Sequence, residues 1–385
     1  MDLRNTFFKK ILCAVFVVFM GFAVSAQEKN FPPDAGNVKF LGRTVTEDGI
    51  LWCGYSGTGA AFHVTARSLE VTFAGDSGAK VRRPETNTGL ARVAVFVDGE
   101  RAADLRLSKP EQKILVFSGD EIRSCDVMVI KLSEAANSVA GIKAVSTDAD
   151  GKISPAAVRP LKIEFIGDSI TCGYGVDDED RNHHFSTATE DVTKTYAYKA
   201  ATRLGADWSF VSQSGWGVVS GYTSNPSVKS DRQLMPDYYD KLGFCGNHFG
   251  SYSQLQKLSW NFGDFVPDVI VVNLGTNDDS WCKGNSVKTD EFKAGYVEFL
   301  RQIRRHNPDS YILCTLGIMG GALFPAVQAA AEQFRSETGD TDVGVFRFSP
   351  QSMADGIAAD WHPSERTHTK AAAALCGKLE SVLAE

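Results

Sequence analysis

Three short blocks carry residue types that could perform acyl chemistry together: Gly167-Asp168-Ser169, Gly275-Thr276-Asn277-Asp278 and Asp360-Trp361-His362-Pro363. A serine hydroxyl is a weak nucleophile until a neighbouring base takes its proton. Ser169 follows Leu161–Ile166, whose apolar side chains alternate, and precedes a small-residue loop that reaches Gly175. That order presents the hydroxyl at the carboxyl end of a strand, where open α/β sheets bind their ligands. The elbow Gly-x-Ser-x-Gly does not surround it. Taken alone, Gly-Asp-Ser reads equally well as a βα turn with a capping serine.

His362 is the expected base. Asp360, two residues earlier, could hold the imidazole tautomer and stabilise the imidazolium, and Pro363 stiffens the backbone behind it. The other histidines suit other places. His63 falls in a strand, and His306 closes a helix where a cation suits the dipole. His183 and His184 lie in a polar loop that could line the site, and His368 is expected on a helix surface. Attack on an acyl carbon also needs donors for the developing oxyanion. The Asn277 side chain, the Gly215 amide and the Ser169 amide are the candidates, with Gly217 an alternative to Gly215. No spacing makes a metal-ligand set, so neither a metal nor an organic cofactor is expected.

The elements that must position these blocks change character along the chain. From about Val38 to Val145 short alternating runs predominate: 62–66, 69–73, 92–97, 113–117 and 126–132. Asp98-Gly99 and Ser118-Gly119 supply turn chemistry between them. Strands without intervening helices predict an all-β jelly-roll sandwich over 27–155. Beyond the proline-bearing stretch that ends at Pro160, strands at 161–166, 209–212, 269–274, 311–316 and 343–348 alternate with helices. The helices are expected at 195–204, 292–306, 323–338 and 365–383. This order predicts an α/β domain over 156–385, with a parallel sheet of about five strands between helical layers.

Residues 1–26 read as a cleaved export signal. Arg4, Lys9 and Lys10 precede the apolar stretch Ile11–Val24, and Val24-Ser25-Ala26 is a small-residue cleavage site. Setting aside those three cations and Asp2 takes the net charge from −7 to −9. The mature chain is therefore acidic and lacks a Lys/Arg cluster, which argues against nucleic-acid and membrane partners. A monomer, secreted or periplasmic, is expected. Seven of the eight cysteines follow the signal and are scattered, without Cys-x-x-Cys spacing. Export would permit a pair such as Cys245 with Cys282.

The blocks resemble the SGNH hydrolases, also called GDSL-like esterases. The likeness rests on Gly167-Asp168-Ser169, Gly215 after the second strand, Gly275-Thr276-Asn277-Asp278 and His362-Pro363. It implies Ser169 as nucleophile, Gly215 and Asn277 as oxyanion donors and His362 as base. Many members place Asp three residues before His, whereas Asp360 stands two before. Over residues 38–384 the chain is similar to the family-two carbohydrate esterases, two-domain acetylesterases with a jelly roll before the SGNH domain. Gly42-Arg43, Trp52-x-x-Tyr-Ser-Gly57, Gly167-Asp168-Ser169-Ile170-Thr171-Cys172-Gly173-Tyr174-Gly175 and Asp360-Trp361-His362-Pro363 carry that likeness. In that family some members keep the aspartate and others lean on a backbone carbonyl. Aromatic residues beside its cleft stack on sugar rings, which implies substrate contacts for Trp281, Trp216 and Tyr174.

The expected activity is removal of acetyl groups from hemicellulose, such as xylan or glucomannan, through an acyl-enzyme on Ser169. One rival belongs to another class, a carbohydrate-binding protein on a decayed esterase site; a second is a short-chain esterase for substrates other than polysaccharides.

Overall fold

The computed structural model describes residues 28–80, 87–232 and 234–384; the export signal expected at 1–26 lies outside the described residues. Ten strands form one curled antiparallel sheet: β1 (Lys29–Phe31), β2 (Lys39–Leu41), β3 (Thr44–Glu47), β4 (Ile50–Cys53), β5 (Gly59–Gly75), β6 (Arg92–Val97), β7 (Glu100–Arg106), β8 (Glu111–Lys131), β9 (Ala140–Thr147) and β10 (Lys152–Pro155). The main path runs β3-β4-β9-β5-β8-β6-β7, with β1 on β9 and both β2 and β10 on β5. The result is a sandwich-like half-barrel.

Four of the short runs read from sequence are two long strands. β5 has 17 residues and β8 has 21, and they pair along most of their length. The register shifts between Ala66 and Ser68, so the bulge absorbs Ser118-Gly119 without ending the strand. A bulge bends and twists a strand, which lets one strand serve both layers of the half-barrel. The Asp98-Gly99 turn does form. Both residues have positive φ, 50° and 86°, and join β6 to β7 as a tight hairpin requires.

The second sheet is parallel: β11 (Lys162–Gly167), β12 (Asp207–Ser212), β13 (Val269–Asn273), β14 (Tyr311–Leu316) and β15 (Val343–Arg347), in the order β12-β11-β13-β14-β15. The helices in chain order are α1 (Ser169–Cys172), α2 (Tyr196–Arg203), α3 (Met235–Tyr238), α4 (Thr276–Cys282), α5 (Ser286–His306), α6 (Phe324–Thr338) and α7 (Glu365–Leu383). Strand periodicity sorts the core. Val269 and Val271 of β13 point into a cluster with α2 and α7, while Ile270 and Val272 point into another with α5 and α6. α5 begins six residues before the start read from sequence, because Ser286–Asp290 carry no apolar residue but Val287. The Asn285 side chain caps that polar first turn by accepting from the Lys288 amide.

Polar contacts lock the two domains. Arg43 is buried against Glu164 at 3.1 Å, and the same carboxylate accepts from Tyr239 Oη at 2.9 Å and Ser209 Oγ at 3.0 Å. Trp208 Nε1 donates to the Gly57 carbonyl at 3.0 Å, and Arg101 pairs with Asp191 at 2.6 Å. Removing one partner of such a buried ion pair leaves an uncompensated charge.

The strand order reverses direction between β11 and β13. Ligands of open α/β sheets bind outside the carboxyl ends of the strands at such a switch point. The chain leaves β11 into Ser169 and leaves β13 into Asn277, so both flank it.

Candidate active site

Ser169 opens α1, and the helix is capped from behind. The Asp168 side chain accepts from the Ile170 amide at 3.0 Å, and Gly173 ends the turn in the left-handed region at φ 85°. No side chain fits at Gly173, since a Cβ there would strike the Asp191 carbonyl. The hydroxyl is therefore held by a turn that has little freedom. It stays 7% exposed.

His362 arrives 193 positions later, and its Nε2 lies 2.9 Å from Ser169 Oγ. Its Nδ1 lies 3.2 Å from the Ala359 carbonyl. A carbonyl only accepts, so Nδ1 carries the proton and Nε2 is free to accept from the serine. Tyr174 stacks on the imidazole with ring centroids 3.9 Å apart, closing one face. Burial pushes the His362 pKa down to about 4, against the Ala359 carbonyl and the Asp360 charge, which favour the cation.

Asp360 does not hold the imidazole as the sequence reading expected. Asp360 and Trp361 both sit in the left-handed region, φ 48° and 64°, and that turn swings the carboxylate away from Nδ1. It accepts instead from Tyr174 Oη at 2.6 Å and the Phe185 amide at 3.1 Å, and pairs with His184 Nδ1 at 2.9 Å. Burial works against the charge, but the Tyr174 and His184 hydrogen bonds hold the carboxyl below its ordinary range. Asp360 thus braces Tyr174 and the 183–185 loop, and acts on His362 through its charge and its backbone rather than through a side-chain hydrogen bond. Asp360→Asn should therefore lower kcat by about tenfold, not the roughly ten-thousand-fold seen where aspartate itself holds the histidine. Steady-state kinetics on p-nitrophenyl acetate decide between the two.

The amide side of the site is built by two loops. Asn277 is the second residue of α4, after Gly275 with φ 130°, and its Nδ2 lies 2.8 Å from the Trp216 carbonyl and 3.3 Å from Asp168 Oδ2. Among the described residues, neither the Ser169 nor the Gly215 amide donates to a protein acceptor. Gly215 adopts φ 79°, which a side chain would strain. Asp278 accepts from the amides of Val218, Val219 and Ser220 at 2.8–3.0 Å, pinning the loop behind Gly215. Burial pushes the carboxyls of Asp168 and Asp278 up to about 7 and about 6, against the amides that donate to them. Neither aspartate role was read from the sequence, although both residues stood in the quoted blocks.

Ser169, Gly215, Asn277 and His362 open onto one cleft of about 650 Å³, walled also by Tyr174, Tyr222, Leu323 and Trp361. Trp281 and Trp216 do not reach it. Trp281 is 6% exposed and packs into the core, with the Lys229 and Lys288 ammonium groups about 5 Å from its ring. Trp281 lies about one turn of α4 beyond Asn277, and its side chain joins the core instead of the cleft wall. Trp216 is 3% exposed and packs on Tyr238 at 4.7 Å. The aromatic surfaces that do face solvent there are Trp361, 52% exposed, and Tyr222, 60% exposed. Trp361 could have been singled out from its place inside Asp360-Trp361-His362.

His368 departs from expectation as well. It is buried, its Nδ1 accepts from the Tyr196 amide at 3.1 Å, and burial lowers its pKa to about 3. It ties α7, and with it the His362 loop, to α2. The seven described cysteines are all buried and free, so Cys245 and Cys282 are not bonded.

The proton inventory fixes a pH dependence. A base at His362 would have to be neutral to accept, and burial keeps the imidazole so across the mildly acidic range. With p-nitrophenyl acetate, kcat/KM should hold level down to about pH 5 and fall as pH drops through about 4. A half-maximal rate near 6.5, the ordinary imidazole value, would contradict this.

Comparison with known proteins follows the same division. The GDSL-like Lipase/Acylhydrolase family matches residues 165–370, and the Carbohydrate esterase 2 N-terminal family matches residues 40–156. Cellulase/esterase CelE of Acetivibrio thermocellus is 30% identical over 295 residues, covering 75% of this chain and 34% of the relative. An acetylxylan esterase / glucomannan deacetylase of Cellvibrio japonicus is 25% identical over 358 residues, covering 90% of this chain and 89% of the relative. The chain thus spans about a third of the first relative's length and most of the second's. A solved family two carbohydrate esterase from Clostridium thermocellum, in complex with cellohexaose, superposes with a TM-score of 0.76 at 25% identity. The match covers 90% of this chain and 99% of that one. Two matched halves, the 2-1-3-4-5 sheet and the serine–histidine contact agree: the chain belongs to the GDSL-like lipase/acylhydrolase family, with the two-domain build of the family-two carbohydrate esterases.

Proposed function

We propose that the chain is an exported carbohydrate O-acetylesterase acting on acetylated hemicellulose or its oligosaccharides. One observation carries the reading: the Ser169 hydroxyl lies 2.9 Å from an imidazole nitrogen whose ring tautomer leaves it free to accept. Ser169 Oγ bonds to the acetyl carbon as its proton passes to His362 Nε2. The carbonyl oxygen becomes an oxyanion held by the Ser169 and Gly215 amides and the Asn277 amide group. His362 then gives its proton to the sugar oxygen as the ester C–O bond breaks. Water repeats the sequence on the acetyl-enzyme and releases acetate. The Ala359 carbonyl supports the imidazolium during both transfers, with Asp360, two residues before His362, adding its charge.

Several features favour a sugar over a long acyl chain. Tyr222 and Trp361 present exposed aromatic surface, with the Arg181 guanidinium 4.4 Å over one face of Trp361, and Ser214, Thr276, Asp279, Ser280 and Lys283 line the same cleft with polar groups. A ring face beside polar side chains suits a pyranose, which is apolar on its faces and hydroxylated at its edge. Export rests on residues 1–26 as read from sequence. No helix among the described residues is long and apolar enough to cross a membrane.

Acetate release from acetylated xylan and glucomannan, followed beside a p-nitrophenyl ester series, tests the reading. Acetate should be the preferred acyl group, and EDTA should leave the rate unchanged. A rate that climbs beyond butyrate rules out a deacetylase, and loss of activity on chelation rules out the metal-free route.

A further inference from the structure

We propose that Glu134, which belongs to the N-terminal domain, is a positioning residue for the oxyanion loop of the neighbouring domain. Glu134 lies just past the end of β8 and is 2% exposed. Its Oε2 accepts from the Ser214 amide at 2.6 Å, and Ser214 directly precedes Gly215. The Cys172 thiol, at the last residue of the helix that begins with Ser169, lies 3.6 Å from the same oxygen. One carboxyl group therefore spans the two segments whose relative position sets the oxyanion donors.

The group is itself held on every side. Glu190 Oε2 accepts from the Glu134 amide at 2.9 Å, Asn137 Nδ2 reaches Glu134 Oε1 at 3.3 Å, and the buried Lys131 ammonium donates to the Ser133 and Glu134 carbonyls at 2.5 and 2.8 Å. Glu134 comes from the N-terminal domain, so that domain helps to position the oxyanion loop of its neighbour. An oxyanion hole works only when its donors are fixed before charge develops, and a loop free to shift by a fraction of an ångström loses that advantage.

Reach matters more than charge here. Burial pushes the Glu134 carboxyl up, against the Ser214 amide that favours the anion, so a neutral glutamine is a close stand-in. Aspartate keeps the charge but falls short of Ser214 by one methylene.

The inference rests on the esterase reading, and the test separates the two. Full-length wild type, E134Q, E134D and E134A are compared on p-nitrophenyl acetate, with methylboronic acid as inhibitor. In the adduct a bond forms from Ser169 Oγ to boron, its proton passes to His362, and a boronate oxygen occupies the oxyanion site. E134D and E134A should each lower kcat about tenfold or more and weaken the boronate to a similar degree, with KM within about twofold of wild type. E134Q should stay within about threefold of wild type in kcat, a rescue that a charge effect would not give. Wild-type kcat in E134D and E134A overturns the proposal, as does E134Q as impaired as E134A, or a loss carried by KM. Failure of both E134D and E134A to fold counts against a role confined to the loop. A wild type that does not turn over acetyl esters sinks the esterase reading instead.

Discussion

Ser169→Ala should lower kcat on p-nitrophenyl acetate and acetylated xylan by about ten-thousand-fold or more, while the melting temperature stays where it is. The size follows from the mechanism: without Oγ there is no acyl-enzyme, and what remains is binding and an oxyanion hole acting on water. The fold should not register the change. Asp168, not Ser169, caps α1, and the serine side chain's polar partner is His362. Losing that one contact leaves a neutral imidazole whose Nδ1 still donates to Ala359. A variant that keeps a tenth of wild-type turnover would remove Ser169 from the nucleophile's role, and with it the acyl-enzyme.

Asn277→Ala comes next in size, an expected loss of about a hundred- to a thousand-fold in kcat with little change in KM. The argument is differential. In the proposed mechanism the ground-state carbonyl would gain little from the amide, but the tetrahedral oxyanion would sit where Asn277, Gly215 and Ser169 line the cleft. Asn277 Nδ2 also donates to the Trp216 carbonyl at 2.8 Å, so the alanine variant leaves a buried acceptor unpaired. About 1 kcal/mol of stability should go with it. Calorimetry beside kinetics keeps the effects apart: a loss entirely in KM, or one explained by unfolding at the assay temperature, would remove the residue from the oxyanion hole.

Local rules made much of the fold legible. The change from strand-only to strand–helix order predicted an antiparallel sheet followed by a parallel five-stranded one, and both sheets form. Local rules failed where tertiary context joined what turn residues divided. Ser118-Gly119 reads as a turn, but a bulge carries β8 straight through it. The polar start of α5 shows no apolar face, so its first turns were invisible to periodicity.

The chain's own order determined that Ser169, Gly215, Asn277 and His362 would gather on one edge. A βα unit delivers its loop to the carboxyl end of the sheet whatever the rest of the molecule does. Only the folded molecule decided what surrounds them. The imidazole takes its partner from the Ala359 carbonyl because two consecutive left-handed residues turn Asp360 elsewhere. Trp361 faces the cleft while Trp281 and Trp216 are buried, because exposure is set by how α4 and its loops pack and not by residue type. Glu134 reaches Ser214 from 80 positions away, a contact fixed by domain docking that no spacing in the sequence encodes.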